Sequence, residues 1–554
     1  MEQMLNCTIG QLLEQQAANH PDQEAVVYPH EGVRWTYREF NDRCDRLAKG
    51  FMAMGVGKGD HVSIWATNYP EWLLCMFSTA KMGAVLVTVN TNYKIFEAEY
   101  LLRQSDSMTL VLTEGFKDSS YTGIVHELCP ELAGSEPGML ASRRLPCLKN
   151  VILVGDRREP GMFAFDDLYA MGESVSDAAL AARKAELTPH DVINMQYTSG
   201  TTGFPKGVML THYNVINDGK MIGDCMAFST ADRLCIPVPL FHCFGCVLGV
   251  MASVTHATTM VMIEHFNPLK VMQAVERERC TALHGVPTMF IAILEHADFK
   301  KYDYSSLRTG IMAGSPCPVQ VMRRVVDEMN MSEITIAYGQ TEASPVVTQT
   351  RTYDPIEKRV ATVGKVLPNM EVKIVDPETG CDLPPDTQGE IVARGFNIMK
   401  GYYKMPEATR QAIDEDGWLH TGDLGTMDDE GYFKITGRLK DMIIRGGENI
   451  YPREIEEFLY THPAVRDVQV VGVPDKVYGE EVCAFVILKE QGGATAEDLV
   501  AYTRERLSRH KAPRYIHFVD EFPMTASGKI QKFKLREMGV ALLHLEEADA
   551  IETA

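Results

Sequence analysis

Residues Tyr197–Gly207 read YTSGTTGFPKG and gather three Gly, three Thr, one Ser and one Lys behind the apolar run Val192–Met195. Peptide N–H groups in a Gly-rich turn converge on an anion, hydroxyls add donors, and Lys206 supplies a compact positive charge. Thr198, Ser199, Gly200, Thr201, Thr202, Gly203 and Lys206 are therefore candidates for holding phosphate. The segment is not a Walker A loop. Counted from Gly200, Pro205 stands where Gly is required, and Gly207 stands where a Ser or Thr would bind the metal. A plain Ser/Thr/Gly surface loop is the competing reading, and it leaves this density of phosphate-type donors unexplained. A second segment, Pro523–Lys529 (PMTASGK), puts Lys529 beside Ser527 and Gly528. Cys243 and Cys246 form a CxxC, which in other settings is a redox pair or half a zinc site. No second CxxC accompanies it, so ordinary packing is expected.

The elements around these segments alternate. Thr36-Tyr37-Arg38-Glu39 has capping-box spacing and opens an amphipathic stretch to about Met54. His61–Ala66, Ala84–Val89, Met108–Thr113 and Asn150–Val154 are short apolar runs of the kind found in buried parallel strands. Strands separated by helical stretches imply parallel sheets covered by helices. Glu131–Arg144 reads as a surface excursion. Strands are expected at Glu390–Ala393 and Tyr432–Ile435, and the texture changes near residue 437. A smaller unit then follows: strand Met442–Arg445, a helix opened by Pro452, strands Asp467–Val473 and Glu481–Leu488, a helix near Ala496–Leu507, and strand Arg514–Val519.

A chain of 554 residues exceeds one compact core, and 45% hydrophobic with 23% charged content is ordinary for globular proteins. A net charge of −21 excludes a general nucleic-acid binder, which needs a basic face. Thirteen cysteines, an odd number without framework spacing, indicate a reduced, cytoplasmic protein. Met1–Cys7 has no secretory character. Leu234–Ile263 lacks Asp, Glu, Lys and Arg, yet Pro237, Pro239, Gly245 and Gly249 interrupt it. A strand, a turn and a small-residue helix inside a large domain are expected there, not a membrane span.

The Tyr197–Gly207 segment resembles the phosphate-binding signature of the adenylate-forming superfamily, which includes acyl-CoA synthetases, nonribosomal-peptide adenylation domains and luciferases. Other segments fall into register in that family's order. Ala337–Glu342 (AYGQTE) is similar to its adenine- and metal-binding motif, and Trp418–Asp423 (WLHTGD) to its ribose motif. Gly437–Asp441 (GRLKD) is similar to the hinge, Gly446–Pro452 (GGENIYP) to the thioester-face loop, and Pro523–Lys529 to the loop with the catalytic lysine. The resemblance implies an α/β fold. A large N-terminal domain of parallel-sheet subdomains, residues 1–437, would hold ATP and the acyl substrate. A hinge at 438–440 would join it to a mobile α+β domain, 441–554.

Roles follow from the same resemblance. Tyr338 offers a face for adenine, with Gly339, Gln340 and the turn Gly314-Ser315-Pro316 lining the nucleotide. Thr341 can donate to the α-phosphate, Glu342 suits Mg²⁺, and Asp423 with Arg438 suits the ribose hydroxyls. Lys529 would neutralise charge as a carboxylate attacks the α-phosphate. Lys440 would be the pivot, and Gly446, Gly447 and Glu448 would meet coenzyme A, the two glycines giving room for its pantetheine arm.

Pro239–Gly245 (PLFHCFG) resembles the family's segment at the mouth of the carboxylate pocket. Amino-acid-activating relatives place an Asp after Phe there; here His242 follows Phe241, which implies an acid without an α-amino group. His242 could orient the substrate carboxylate, or be a packed histidine. Phe244, Cys246, Val250 and Met289 are expected apolar lining. The expected activity is ATP-dependent acid–CoA ligation: carboxylate and MgATP give acyl-adenylate and pyrophosphate, and CoA then displaces AMP. A medium-chain fatty acid is the expected substrate. An aryl acid, or delivery of the acyl group to a carrier protein, is the alternative. The expected partners are small molecules, with a homodimer left open. A catalytically silent binding protein would not need Lys206, Glu342, Asp423 and Lys529 together.

Overall fold

The computed structural model describes residues 3–198, 205–314, 317–445, 448–475, 478–490, 492–507, 511–525 and 528–545. The chain forms two compact units: Met1–Glu371 with Ala393–Leu419, and Val372–Val392 with His420–Ala554.

Among the described residues the first unit carries a nine-stranded and an eight-stranded sheet. In the larger sheet, strands Glu333–Gly339, Thr309–Ala313, Ala282–Gly285, Arg233–Ile236, Thr259–Met262 and Glu24–Tyr28 lie side by side and parallel. Antiparallel strands flank them on both edges, so the sheet is mixed at its margins. The second sheet holds the four apolar runs read from sequence, as His61–Trp65, Val85–Thr88, Thr109–Leu112 and Asn150–Leu153. Their residues are buried almost without exception, which is why they are near-continuously apolar and do not alternate.

The helix after Thr36 spans Tyr37–Ala53. Thr36 Oγ1 accepts from the Glu39 N–H at 3.2 Å and Glu39 Oε2 accepts from the Thr36 N–H at 2.8 Å, the reciprocal box the sequence announced. The charge-free stretch becomes strand Arg233–Ile236, a π-helix Phe244–Met251, a short helix Ala252–Thr255 and strand Thr259–Met262. Among the described residues, no helix is long and apolar enough to cross a membrane.

The strands Gly389–Gly395, Leu419–Met427 and Phe433–Arg438, whose residues fall mostly in the second unit, belong to a four-stranded sheet. A five-stranded sheet follows, with Gly479–Leu488 between Ile443–Arg445 and the long strand Val465–Asp475, and Tyr515–Phe518 added in parallel. Helix Pro452–Leu459 packs Ile455 and Leu459 onto this sheet, in one apolar cluster with Ile443, Val468, Val482 and Val486. A terminal helix, Lys532–Leu542, was not foreseen; Leu535 and Val540 bury one side of it. Of the expected hinge residues 438–440, Arg438 ends strand Phe433–Arg438 and the other two open the short turn Leu439–Asp441.

Candidate active site

Several candidate residues of the first unit follow the carboxyl ends of neighbouring parallel strands of the larger sheet, where ligands bind in open α/β sheets. Ile236 leads on to His242, Gly285 to Met289, Ala313 to Gly314, and Gly339 to Thr341 and Glu342. Ala313 pairs with Ala337, so Gly314 and Tyr338 emerge next to one another. Gly314 has φ +89°, which favours glycine. At Gly339 a Cβ would lie 1.8 Å from the Pro345 oxygen, so the strand can fold back on itself only without a side chain. That return is clamped from beneath. Asp218 Oδ2 accepts from the Val346 N–H at 3.1 Å, Asn397 Nδ2 donates to the Val346 oxygen at 2.6 Å, and Ser344 Oγ donates to the Asn397 oxygen at 2.6 Å. Burial pushes the Asp218 carboxyl well above the usual carboxylate range.

On either side of the Gly-rich segment, strands Val192–Thr198 and Lys206–Thr211 pair antiparallel, Thr198 opposite Lys206. The expectations at Ser199, Gly200, Thr201, Thr202 and Gly203, at Ser315 and Pro316, and at Gly446 and Gly447 lie outside the described residues. Tyr100 Oη donates to the Pro205 oxygen at 3.0 Å and so secures the hairpin's return. The Lys206 ammonium stands 4.7 Å above the ring of Tyr402. The Tyr402 hydroxyl donates to Glu342 Oε1 at 2.7 Å, and the Glu342 carbonyl accepts from the Met399 N–H at 2.8 Å. Tyr402 escaped the sequence reading; the only signal was a Gly-Tyr-Tyr turn at 401–403. Among the described residues neither Lys206 nor Glu342 forms an ion pair.

Glu342 fits Mg²⁺ in donor chemistry, since a carboxylate oxygen suits a hard cation. Among the described residues there is no group of three or more His, Cys, Asp or Glu able to hold a metal. A divalent ion here would thus take most of its ligands from phosphate and water.

His242 Nδ1 accepts from the Phe244 N–H at 3.1 Å, which places the hydrogen of the neutral ring on Nε2. The Cys243 sulfur lies 3.5 Å from that Nδ1 and 3.7 Å from Thr341 Oγ1, joining the two candidates. Cys243 and Cys246 are buried and are not joined in a disulfide, in keeping with packing. Burial pushes the Cys246 thiol up, and its sulfur accepts from Gln196 Nε2 at 3.2 Å.

Phe244, Cys246 and Val250 all sit on the π-helix and are buried, as is Met289 at the start of helix Pro287–Leu294. π-Helical turns recur at functional sites. His284 fastens this one: its Nδ1 accepts from the Ile311 N–H at 3.2 Å and its Nε2 donates to the Leu248 oxygen at 3.0 Å. The ring lies 5.8 Å from Phe244, and burial pushes its pKa down to about 4. No motif marked His284.

In the second unit Asp423 pairs across the strands with Arg438, Nε to Oδ1 at 2.9 Å, and Asp423 is 5% exposed. Lys529 is held by its backbone: its N–H donates to Thr525 Oγ1 at 3.0 Å and its carbonyl accepts from the Thr525 N–H at 2.7 Å. Gly528 turns the chain at φ +79°. Lys440 lies in the turn Leu439–Asp441, and Glu448 opens a strand paired with Arg445.

Comparison with known proteins shows the family. The AMP-binding enzyme family model matches residues 13–403, and the AMP-binding enzyme C-terminal domain model matches residues 454–529. YngI of Bacillus subtilis, which bears an acyl-CoA synthetase name, is 57% identical over 548 residues, covering 99% of this chain and 100% of that one. The mitochondrial medium-chain acyl-CoA ligase ACSF2 of Bos taurus is 44% identical over 538 residues, 96% of this chain and 87% of that one. The anthranilate CoA ligase AuaEII, solved with anthranoyl-AMP, superposes with a TM-score of 0.86 at 26% identity over 98% of this chain and 100% of that one. ATP-bound MatB from Rhodopseudomonas palustris gives 0.82 at 28% identity, covering 96% and 99%. The chain belongs to the AMP-binding enzymes of the adenylate-forming superfamily and is a ligase of the acyl-CoA synthetase class.

Proposed function

We propose that the enzyme activates a medium-chain fatty acid with ATP and transfers the acyl group to coenzyme A in the reducing cytoplasm. The observation that carries this reading is the buried apolar wall of Phe244, Cys246 and Val250 on the π-helix, with His242 where an amino-acid-activating relative has Asp. A wall without a fixed carboxylate suits an alkyl chain and offers nothing to a substrate ammonium. The name of the ACSF2 relative, a medium-chain acyl-CoA ligase, supports the same class of acid.

In this reading the hairpin donors Thr198–Gly203 and Lys206 bind the phosphates, and Tyr338, Gly339, Gln340 and Gly314-Ser315-Pro316 hold the adenine. Glu342 would hold Mg²⁺, which would supply charge neutralisation at the phosphates. Thr341 donates to the α-phosphate. His242 presents its Nε2–H to the substrate carboxylate. Asp423 accepts from the ribose hydroxyls, with Arg438 steadying its carboxylate. Lys529 lends positive charge to the α-phosphate while the substrate carboxylate adds and pyrophosphate leaves. The domain 441–554 then turns about Lys440, withdrawing Lys529 and presenting Gly446, Gly447 and Glu448 to coenzyme A, whose thiol displaces AMP.

The test is AMP formation with MgATP across acetate, octanoate, dodecanoate and benzoate, with and without CoA. CoA-dependent turnover should peak at octanoate. A peak at benzoate, or turnover indifferent to CoA, refutes the proposal.

A further inference from the structure

Resting on that function, we infer that Tyr402 is a positioning residue that holds Lys206 and Glu342 apart and aims both at a metal–nucleotide complex. The residue stands between them: its ring face carries the ammonium at 4.7 Å, and its hydroxyl donates to Glu342 Oε1 at 2.7 Å. A lysine and a glutamate that share one tyrosine would, without it, be free to pair with each other, and an ion pair would cancel the charges that phosphate and cation need. An aromatic face locates an ammonium without neutralising it. A neutral phenol donor orients a carboxylate in the same way, occupying one oxygen and leaving the other's charge available.

The placement of Tyr402 is built in. Its strand pairs Val208 with Tyr402, two residues from Lys206 on the hairpin. Its N–H donates to Thr409 Oγ1 at 2.9 Å, and Gly401 takes φ +134°, where a Cβ would lie 2.9 Å from Thr409 Cγ2. A phenol keeps its proton at neutral pH and therefore acts towards a carboxylate as a donor. Lys206 alone could be a surface cation and Glu342 alone a turn acid; a buried tyrosine bridging both gives them one task.

Tyr402→Phe removes the donor and keeps the spacer, whereas Tyr402→Leu removes both. The readout is calorimetric binding of a non-hydrolysable ATP analogue by the full chain, with and without Mg²⁺. In Tyr402→Phe the metal-free affinity should stay at the wild-type value while the tightening due to Mg²⁺ shrinks roughly tenfold. In Tyr402→Leu the metal-free affinity should also fall roughly tenfold. Full Mg²⁺ tightening in Tyr402→Phe overturns the inference, as does equal weakening with and without the metal, the mark of a merely structural residue. Wild-type binding that ignores Mg²⁺ overturns it as well. Pyrophosphate exchange by the wild type is scored separately: a chain that exchanges none yet shows the Mg²⁺ pattern refutes the ligase reading and keeps Tyr402 in its role.

Discussion

Acidification should loosen the wall of the acyl site through one buried histidine. His284 spends both ring nitrogens on backbone groups, accepting from Ile311 and donating to Leu248. A second proton on Nδ1 would face the Ile311 N–H, donor against donor, in a site with no exposure. The native pKa is accordingly pushed down to about 4, against an ordinary value of about 6.5. The sign follows from linkage: the unfolded chain takes the proton first, so stability is complete above about pH 7 and is lost as pH falls through about 4. The full difference is worth about 3 kcal/mol, and about 2 kcal/mol of it is gone at about pH 5. The assay is urea unfolding at about pH 7.5 and about pH 5 for the wild type and His284→Gln. The variant should be weaker at the higher pH, since the Ile311 N–H loses its acceptor, but its drop on acidification should be smaller than the wild type's by about 2 kcal/mol. His212 acts in the same direction, its pKa pushed down to about 3 by burial, and so leaves a residual acid dependence in both proteins. Identical pH slopes in the two proteins would refute the argument.

Three further perturbations address the chemistry. Lys529→Ala should lower adenylation, read by pyrophosphate exchange, by about a hundredfold or more while sparing thioester formation from preformed adenylate; equal loss in both half-reactions counts against its role. Lys440→Pro should do the reverse, leaving pyrophosphate exchange intact and abolishing acyl-CoA formation, and a variant competent in both defeats the pivot. Gly339→Ala forces a methyl to 1.8 Å from the Pro345 oxygen, so the turn carrying Thr341 and Glu342 must shift; nucleotide affinity should fall by at least about tenfold, checked by calorimetry, and an unchanged affinity would show that the turn does not position those residues.

What could be read from the sequence was what the chain states locally. The Thr36 cap, the β-branched strand runs and the Pro452 helix start depend on neighbours within a few residues, and the structure reproduces them. The strand ends that gather His242, Gly314 and Glu342 follow from parallel topology, which the alternation of elements already implied. Tyr402 and His284 were illegible for one reason: each acts on partners far away in sequence, Lys206 and Glu342 for the first, Leu248 and Ile311 for the second. Neither carries a spacing signal, because its partners are set by which strands become neighbours. The π-helix shows the same limit. Phe244–Met251 reads as a short apolar helix, and its wider turns are visible only beside the His284 that takes up its Leu248 carbonyl and the Gly249 that lets it approach Ile236, where a Cβ would meet that side chain at 3.2 Å. A family motif thus names the groups that touch substrate. Residues such as Tyr402, which keep opposite charges from consuming one another, come into view only when those groups are seen together.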